Sequence, residues 1–332
     1  MTMKIKILFY GFRHGHINSL YKRVVSSDIA VVAGCVEENI SARENAEKKL
    51  GAVFSDIAYD EWLDSDIDAV AIGNEYGKRG KAIIKALNAG KHVIADKPIC
   101  TDIAELEEII RLSRERELQV MCMLDLRYIP QSLSAKKILD SRELGEVRNL
   151  SFNGQHCIDY KNRPSWYFEE GMHGGTINDL AIHGIDLVRM LTGEEIEKVD
   201  AARVWNSYAY KHEHFKDSAL FMARLSNRAG VLADISYSAP TQVFSMPTYW
   251  EFNIWCEKGL VTFNFVDKTV TVYREGAKAP EIYSEAPDRR YDWLDEFAEA
   301  IDKNDRTATE NVFASTRTAL WIQSIADKEN SL

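Results

Sequence analysis

Through the first 124 residues, short apolar runs alternate with amphipathic stretches. The runs are Ile5 to Tyr10, Ile29 to Val36, Ala69 to Gly73, His92 to Ala95 and Gln119 to Leu124. The stretches between them read as helices: about Ile17 to Val25, Ser41 to Leu50 with Gly51 as its stop, and Gly80 to Asn88 before Gly90. A further helix opens at Thr101 or Asp102 and carries Ile103, Leu106, Ile109 and Ile110 on one face. Strands that are apolar almost throughout are covered on both faces. The alternation therefore predicts β-α-β units around a doubly wound parallel sheet, a Rossmann domain over residues 1–124.

From residue 125 the rhythm changes. A helix over Ser132 to Asp140 and a strand near Val147 to Phe152 precede a glycine pair, Gly174-Gly175, and a helix over about Ile177 to Leu191. Strand-like runs then follow with no helices between them: Ala219 to Leu225, Gly230 to Ser236, Trp250 to Cys256, Leu260 to Phe265 and Thr269 to Tyr273. The first two flank a hairpin turn, Ser226 to Ala229. Two helices, about Asp292 to Lys303 and Glu310 to Asp327, close the chain. This pattern predicts a second, α+β domain over 125–332 with an open antiparallel sheet. No low-complexity linker separates the two domains, so a cleft where they meet is the default ligand site.

Composition narrows the function classes. The 332 residues are 45% hydrophobic and 28% charged, with a formal net charge of -10. That balance argues against a nucleic-acid partner, which needs clustered Lys and Arg. No run approaches the ~18 apolar residues of a membrane span, and the run ending at Phe9 is too short for a signal peptide. The five cysteines form no C-x-x-C pair and fit a reducing compartment. A soluble cytoplasmic protein is expected.

Three places carry candidate chemistry. Gly11-Phe12-Arg13-His14-Gly15-His16 falls between the first strand and first helix, where a dinucleotide fold binds pyrophosphate at a helix N-terminus. In G-x-G-x-x-G register, Arg13 and His16 replace the second and third glycines; Arg13 is expected to hinder close approach of the pyrophosphate to the backbone, or instead to bind phosphate with its guanidinium. Glu37, with Glu38 beside it, ends the second strand at the spacing of the acid that grips the adenosine ribose. A carboxylate there favours NAD; Arg13 leaves NADP open. Asp96-Lys97-Pro98 ends the fourth strand, and Pro98 keeps Lys97 extended toward the crevice beyond the strand ends. On the helix after Gly175, Asp179, His183 and Asp186 share one stripe, and His183 can titrate near neutrality as an acid/base. Each feature alone also fits a bland reading: a plain strand-to-helix turn, a surface lysine, a solvated Asp–His pair. His212-Glu213-His214 has metal-ligand spacing, but a polar loop of that kind is usually just solvated, and no metal ligand is assigned.

Taken together the segments resemble the glucose–fructose oxidoreductase, inositol dehydrogenase and MocA-like family. The resemblance spans nearly the whole chain. It rests on ALNAGKHVIADKP (Ala86 to Pro98), LGEVRNLSF (Leu144 to Phe152) and GGTINDLAIHGIDLVRMLTG (Gly174 to Gly193). It implies a Rossmann domain followed by an α/β domain on a large, mostly antiparallel sheet, and NAD(P)-dependent oxidoreduction of a sugar, polyol or related ring alcohol. It implies a homodimer or homotetramer formed through the outer face of that sheet. It maps the family's substrate lysine to Lys97 and the helix aspartate and histidine to Asp179 and His183. Asp96 stands where the family has glutamate. The T-P-N-x-x-H stretch is here Asn74 to Arg79, with Asn74 near the nicotinamide ribose and Arg79 where the histidine falls.

On this reading His183 takes the hydroxyl proton, Lys97 stabilises the oxyanion and Asp179 fixes the hydroxyl or the imidazole. Candidate substrate contacts are Arg127, Tyr128, Gln155, His156, Arg163, Trp166, Tyr167 and Asn178, with His173 ranked lower. Two rivals use the same scaffold: a glycosidase that oxidises its substrate transiently on a retained NAD, and a non-catalytic dinucleotide or sugar sensor.

Overall fold

The computed structural model describes residues 4–240, 243, 249–284 and 291–329. The chain divides into two compact units. The first holds Met1–Met123, Glu170–Gly174 and Tyr291–Arg317; the second holds Leu124–Glu169, Gly175–Arg290 and Thr318–Leu332.

The first unit is built on five strands: β1 (Ile5–Tyr10), β2 (Ala30–Val36), β3 (Ala69–Ile72), β4 (His92–Ala95) and β5 (Val120–Cys122). All pair in parallel, in the order β2-β1-β3-β4-β5. Between them run α1 (His16–Val25), α2 (Ile40–Leu50), the short α3 (Tyr59–Leu63), α4 (Tyr76–Asn88) and α5 (Ile103–Glu115). β3 and β5 are buried along their whole length, as the apolar runs predict. Local chemistry sets the helix ends. The Asp102 side chain accepts from the Ala104 and Glu105 N–H groups at the start of α5, and Gly51 leaves α2 in the left-handed region. Strand order reverses between β1 and β3. That switch point opens a crevice beyond the strand ends, bordered by the turns after Tyr10 and Ile72.

The first unit also takes in chain from beyond residue 124, which a domain boundary read from local pattern does not show. Thr309 Oγ1 accepts the Val120 N–H at 3.1 Å and donates to Gln119 Oε1 at 2.7 Å. Arg306 reaches the carbonyls of Ser113 and Leu118.

The second unit is built on eight strands: β6 (Val147–Gln155), β7 (Ile196–Trp205), β8 (Ser218–Leu225), β9 (Gly230–Ser236), β10 (Tyr249–Cys256), β11 (Gly259–Asn264), β12 (Val270–Arg274) and β13 (Glu281–Tyr283). Their order is β13-β12-β11-β10-β6-β9-β8-β7, antiparallel except for β6 with β9. β7 and β13 lie outside the runs read from sequence. Along β8 and β9 buried and exposed residues alternate, so one face carries the core and the other is open. α6 (Pro130–Asp140) and α7 (Ile182–Thr192) complete the core. α7 lies against β6 at Gly184, where a Cβ would come within 2.1 Å of the Phe152 ring. α8 (Trp293–Lys303) and α9 (Thr307–Glu329) end the described chain. Among the described residues no helix is long and apolar enough to cross a membrane.

Candidate active site

The first turn keeps the one glycine it needs. Gly11 has φ +83°, and a Cβ there would fall 2.6 Å from the Asn74 backbone nitrogen. Glu37 is buried and caps this turn: one oxygen accepts the Phe12 N–H at 2.5 Å, the other the Asn39 N–H at 2.7 Å. Burial raises its carboxyl above the usual range, against the pull of those two N–H groups. Glu38 accepts from the Tyr10 hydroxyl at 3.1 Å, and the Tyr10 ring stacks on Tyr59 at 3.9 Å. Tyr10, Arg13, Glu37, Glu38, Tyr59 and Asn74 line a cavity of about 260 Å³, together with Lys78, Lys81 and Lys85 of α4. Arg13 meets Glu75 at 2.7 Å, so its guanidinium is already balanced by a carboxylate. Its N–H donates to the Gly73 carbonyl at 2.9 Å.

These residues fit a dinucleotide. α1 begins after Gly15, which has open space where a Cβ would be, and its first turn carries no acid to repel phosphate. The acids at the end of β2 and the stacked Tyr10 and Tyr59 among the lining residues suit the adenosine end. His14 and His16 turn away from that cavity toward the end of β4. His14 Nδ1 lies 2.5 Å from Asp96 Oδ2, and His16 Nδ1 lies 3.1 Å from Asp96 Oδ1.

Arg79 organises the Asp96-Lys97-Pro98 segment. It is fully buried, and its guanidinium donates to the carbonyls of Asn74 (2.8 Å), Lys97 (2.5 Å) and Pro98 (3.1 Å) and to Asp96 Oδ2 (2.9 Å). The Lys97–Pro98 peptide bond is cis. Burial alone would raise the Asp96 carboxyl, but His14 and Arg79 beside it hold it well below the ordinary carboxylate range. Burial lowers His14 to about 4, against the upward pull of Asp96. Lys97 is only 2% exposed, and its ammonium lies 5.7 Å from the centre of the Tyr76 ring. Tyr76 also packs on Arg79, at 4.5 Å, and its ring lies 5.9 Å from that of His173. Sequence reasoning missed both Tyr76 and the reach of Arg79. The substitution at the family's histidine position was the only visible signal of the latter.

In the second unit Ile177–Ala181 forms a π-helical turn that runs directly into α7. Such turns recur at functional sites because they re-aim side chains. Asn178, Asp179, His183 and Asp186 are all buried, so the stripe does not face solvent as an amphipathic helix would place it. The Tyr237 hydroxyl donates to Asp179 Oδ2. Burial, reinforced by the Asp179 charge, raises the Tyr237 phenol well above 10. The His183 ring lies edge-on to Trp250 at 5.9 Å, and the His156 ring meets the same indole at 6.1 Å. Tyr237 and Trp250 were not read from the sequence; aromatic residues at strand ends have no local signature.

The remaining candidates fall around this cluster. Arg127 makes a two-point ion pair with Asp186, at 2.9 and 2.8 Å. Tyr128, half-buried, ends the same short helical turn. Arg163 donates to the carbonyls of Ile158 and Cys157 and lies over the Tyr167 ring at 4.6 Å. Trp166 is buried and packs on Tyr167, with ring centres 4.2 Å apart. Gln155 is tied to β9 through Asp234 and Ser236. His212 stacks on Phe168 at 3.9 Å, while Glu213 and His214 are exposed.

A parallel sheet with a glycine turn after β1, acids after β2 and a buried lysine after β4 defines a dinucleotide-binding α/β protein. Residues 5–124 match the model of an oxidoreductase family with an NAD-binding Rossmann fold, and residues 132–262 match the GFO/IDH/MocA C-terminal domain. The chain belongs to the glucose–fructose oxidoreductase, inositol dehydrogenase and MocA family. It is 30% identical over 173 residues to a dTDP-3,4-didehydro-2,6-dideoxy-alpha-D-glucose 3-reductase of Actinomadura kijaniata, covering 52% of this chain and 49% of that protein. It is 31% identical over 136 residues to the levoglucosan dehydrogenase of Pseudarthrobacter phenanthrenivorans, covering 40% and 34%. The chain thus spans about half the length, or less, of these curated relatives. In fold it is similar to a levoglucosan dehydrogenase solved with NADH and levoglucosan (TM-score 0.82, 19% identity, 98% of each chain). It is equally similar to an aldose-aldose oxidoreductase from Caulobacter crescentus solved with glycerol (TM-score 0.82, 18% identity, 98% of each chain).

Proposed function

We propose that this chain is an NAD(P)-dependent oxidoreductase that moves a hydride between nicotinamide and a ring hydroxyl or carbonyl of a sugar, polyol or related cyclic alcohol. The observation that carries the reading is Lys97. It is a buried ammonium at the carboxyl end of β4, packed on an aromatic ring, with its backbone pinned by Arg79. A cation so desolvated stabilises a developing alkoxide far better than one in water.

Bound nicotinamide supplies the hydride acceptor or donor. Lys97 donates to the substrate oxygen as charge develops on it. His183 takes the hydroxyl proton during oxidation and returns it during reduction. Asp179, held by Tyr237, fixes the hydroxyl or the imidazole. His156, Asn178 and Tyr128 bind neighbouring hydroxyls. Arg127, engaged by Asp186, and Trp166, packed on Tyr167, act through the residues they hold. Glu37 and Glu38 favour NAD over NADP, because two carboxylates repel an added phosphate.

The chain works as a homo-oligomer in the cytoplasm. Met222 and Leu232 sit opposite each other on β8 and β9, both half-exposed, and Trp255 and Tyr273 extend the apolar face across the sheet. A face of that kind suits a second copy. The cysteines among the described residues are all free, in keeping with a reducing compartment. Light scattering is expected to give a dimer or tetramer mass that falls to the monomer in Met222→Lys/Leu232→Lys.

The functional test is a panel of levoglucosan, inositols and aldoses with NAD and with NADP, read by NADH or NADPH absorbance. Turnover on at least one ring alcohol, faster with NAD, is expected. Nucleotide binding without turnover on any of them, or release of a chromogenic aglycone with no net NADH, would overturn the reading.

A further inference from the structure

His14, His16 and Asp96 form a cluster to which the hydride transfer assigns no role. Asp96 is fully buried, and its two oxygens have different partners. Oδ2 receives Arg79 and His14. Oδ1 faces His16 Nδ1 at 3.1 Å, yet both atoms are buried and neither makes a hydrogen bond. A buried carboxylate oxygen and imidazole nitrogen that face each other at this distance without a hydrogen bond are the pattern a cation resolves. The His14 ring lies 4.6 Å from the His16 ring, and one ligand atom from each of the three residues falls within 4.8 Å of the others.

We propose that Asp96 Oδ1, His16 Nδ1 and a ring nitrogen of His14 bind a divalent transition metal of the zinc class at the first turn. Two imidazoles and one carboxylate are a familiar zinc and iron donor set, and three protein ligands leave a position open. The sequence supplies the ligands economically: His14-Gly15-His16 presents two imidazoles across a residue with open space at its Cβ position, and Asp96 closes the set from the end of β4. Arg79 holds the other carboxylate oxygen, which steers the metal to Oδ1 and fixes the orientation of the carboxylate. Because Arg79 already offsets the carboxylate charge, the open position suits an anionic oxygen. The site shares the first turn with the dinucleotide reading but rests on these three side chains alone, so either reading can fail without the other.

The test uses the full chain, stripped with a chelator and titrated with Co²⁺ in the absence of nucleotide. The visible absorption of low-coordinate Co²⁺ is the readout. One Co²⁺ per chain is expected, displaced by Zn²⁺. His16→Gln is expected to weaken binding by more than about 100-fold, beyond the roughly 10–100-fold typical of losing a group that only supports a ligand. His14→Gln should do the same, while His214→Gln on the exposed 212–214 loop should bind as the parent does. A wild-type chain that gives no stoichiometric band, or a folded His16→Gln that binds equally well, overturns the proposal. Should His16→Gln fail to fold, His14→Gln and the wild-type titration decide it in the same way.

Discussion

In the first unit Asp96 is buried against a cation, Arg79, and two imidazoles; in the second, Asp179 is equally buried and accepts a hydrogen bond from a neutral phenol, Tyr237. The first arrangement is a fixed charge pair. It locks backbone, because the same guanidinium holds three carbonyls around the cis Lys97–Pro98 bond. The second is a hydrogen bond between groups of different acidity, with no cation in the bond itself. In the proposed function one unit therefore positions the cation that stabilises the alkoxide, and the other handles the proton.

The contrast breaks most sharply at Arg79. Arg79→Met leaves a buried carboxylate facing no cation, and a loss of roughly 3–5 kcal/mol in urea unfolding is expected. A loss below about 1 kcal/mol would show that Arg79 does not hold the segment.

Asp217 sharpens the comparison with a carboxylate satisfied in a third way. Burial pushes its carboxyl up, but the Ser218 hydroxyl and the N–H groups of Ser207, Ala209 and Tyr208 bring it below the ordinary value. A carboxyl lowered in the folded state stabilises fully above its unfolded pKa, about 3.9, and stops doing so as pH falls through the folded pKa. Asp217→Asn is expected to cost about 1.5–3 kcal/mol at neutral pH. Its denaturation free energy should converge with the wild type as pH drops below about 4. Parallel curves down to that range would contradict the assignment.

The smallest effect is expected at Tyr237. Tyr237→Phe removes one donor to Asp179 and should cost about 1 kcal/mol of stability, but it should shift the pH profile of turnover, which a purely structural tyrosine would leave alone.

Most of the parallel sheet was legible because its strands are uniformly apolar and Asp102 and Gly51 mark helix ends. β7 was not. Its buried and exposed positions follow no period of two, because its pairing with β8 shifts register twice. α4 begins at Tyr76, four residues before the apolar pattern at Gly80 announces it, since its first turn carries Lys78 and Arg79. The return of 291–317 to the first unit rests on Thr309 and Arg306 meeting residues some 190 positions away, which no local pattern encodes. The residue types at the candidate site were legible, but their settings were not. Lys97 was readable from Asp-Lys-Pro after a strand, whereas its clamp by Arg79, the π turn before α7 and the Tyr237–Asp179 bond depend on long-range packing.

The central claim is that Lys97 and His183 act on the reacting oxygen and its proton. It is tested most directly by measuring kcat on the best ring alcohol, and Kd for NAD, in Lys97→Met and His183→Ala. The account predicts kcat lower by about 10²–10⁴-fold in His183→Ala, a comparable fall in Lys97→Met, and NAD affinity unchanged in His183→Ala. Wild-type kcat in either variant would contradict it.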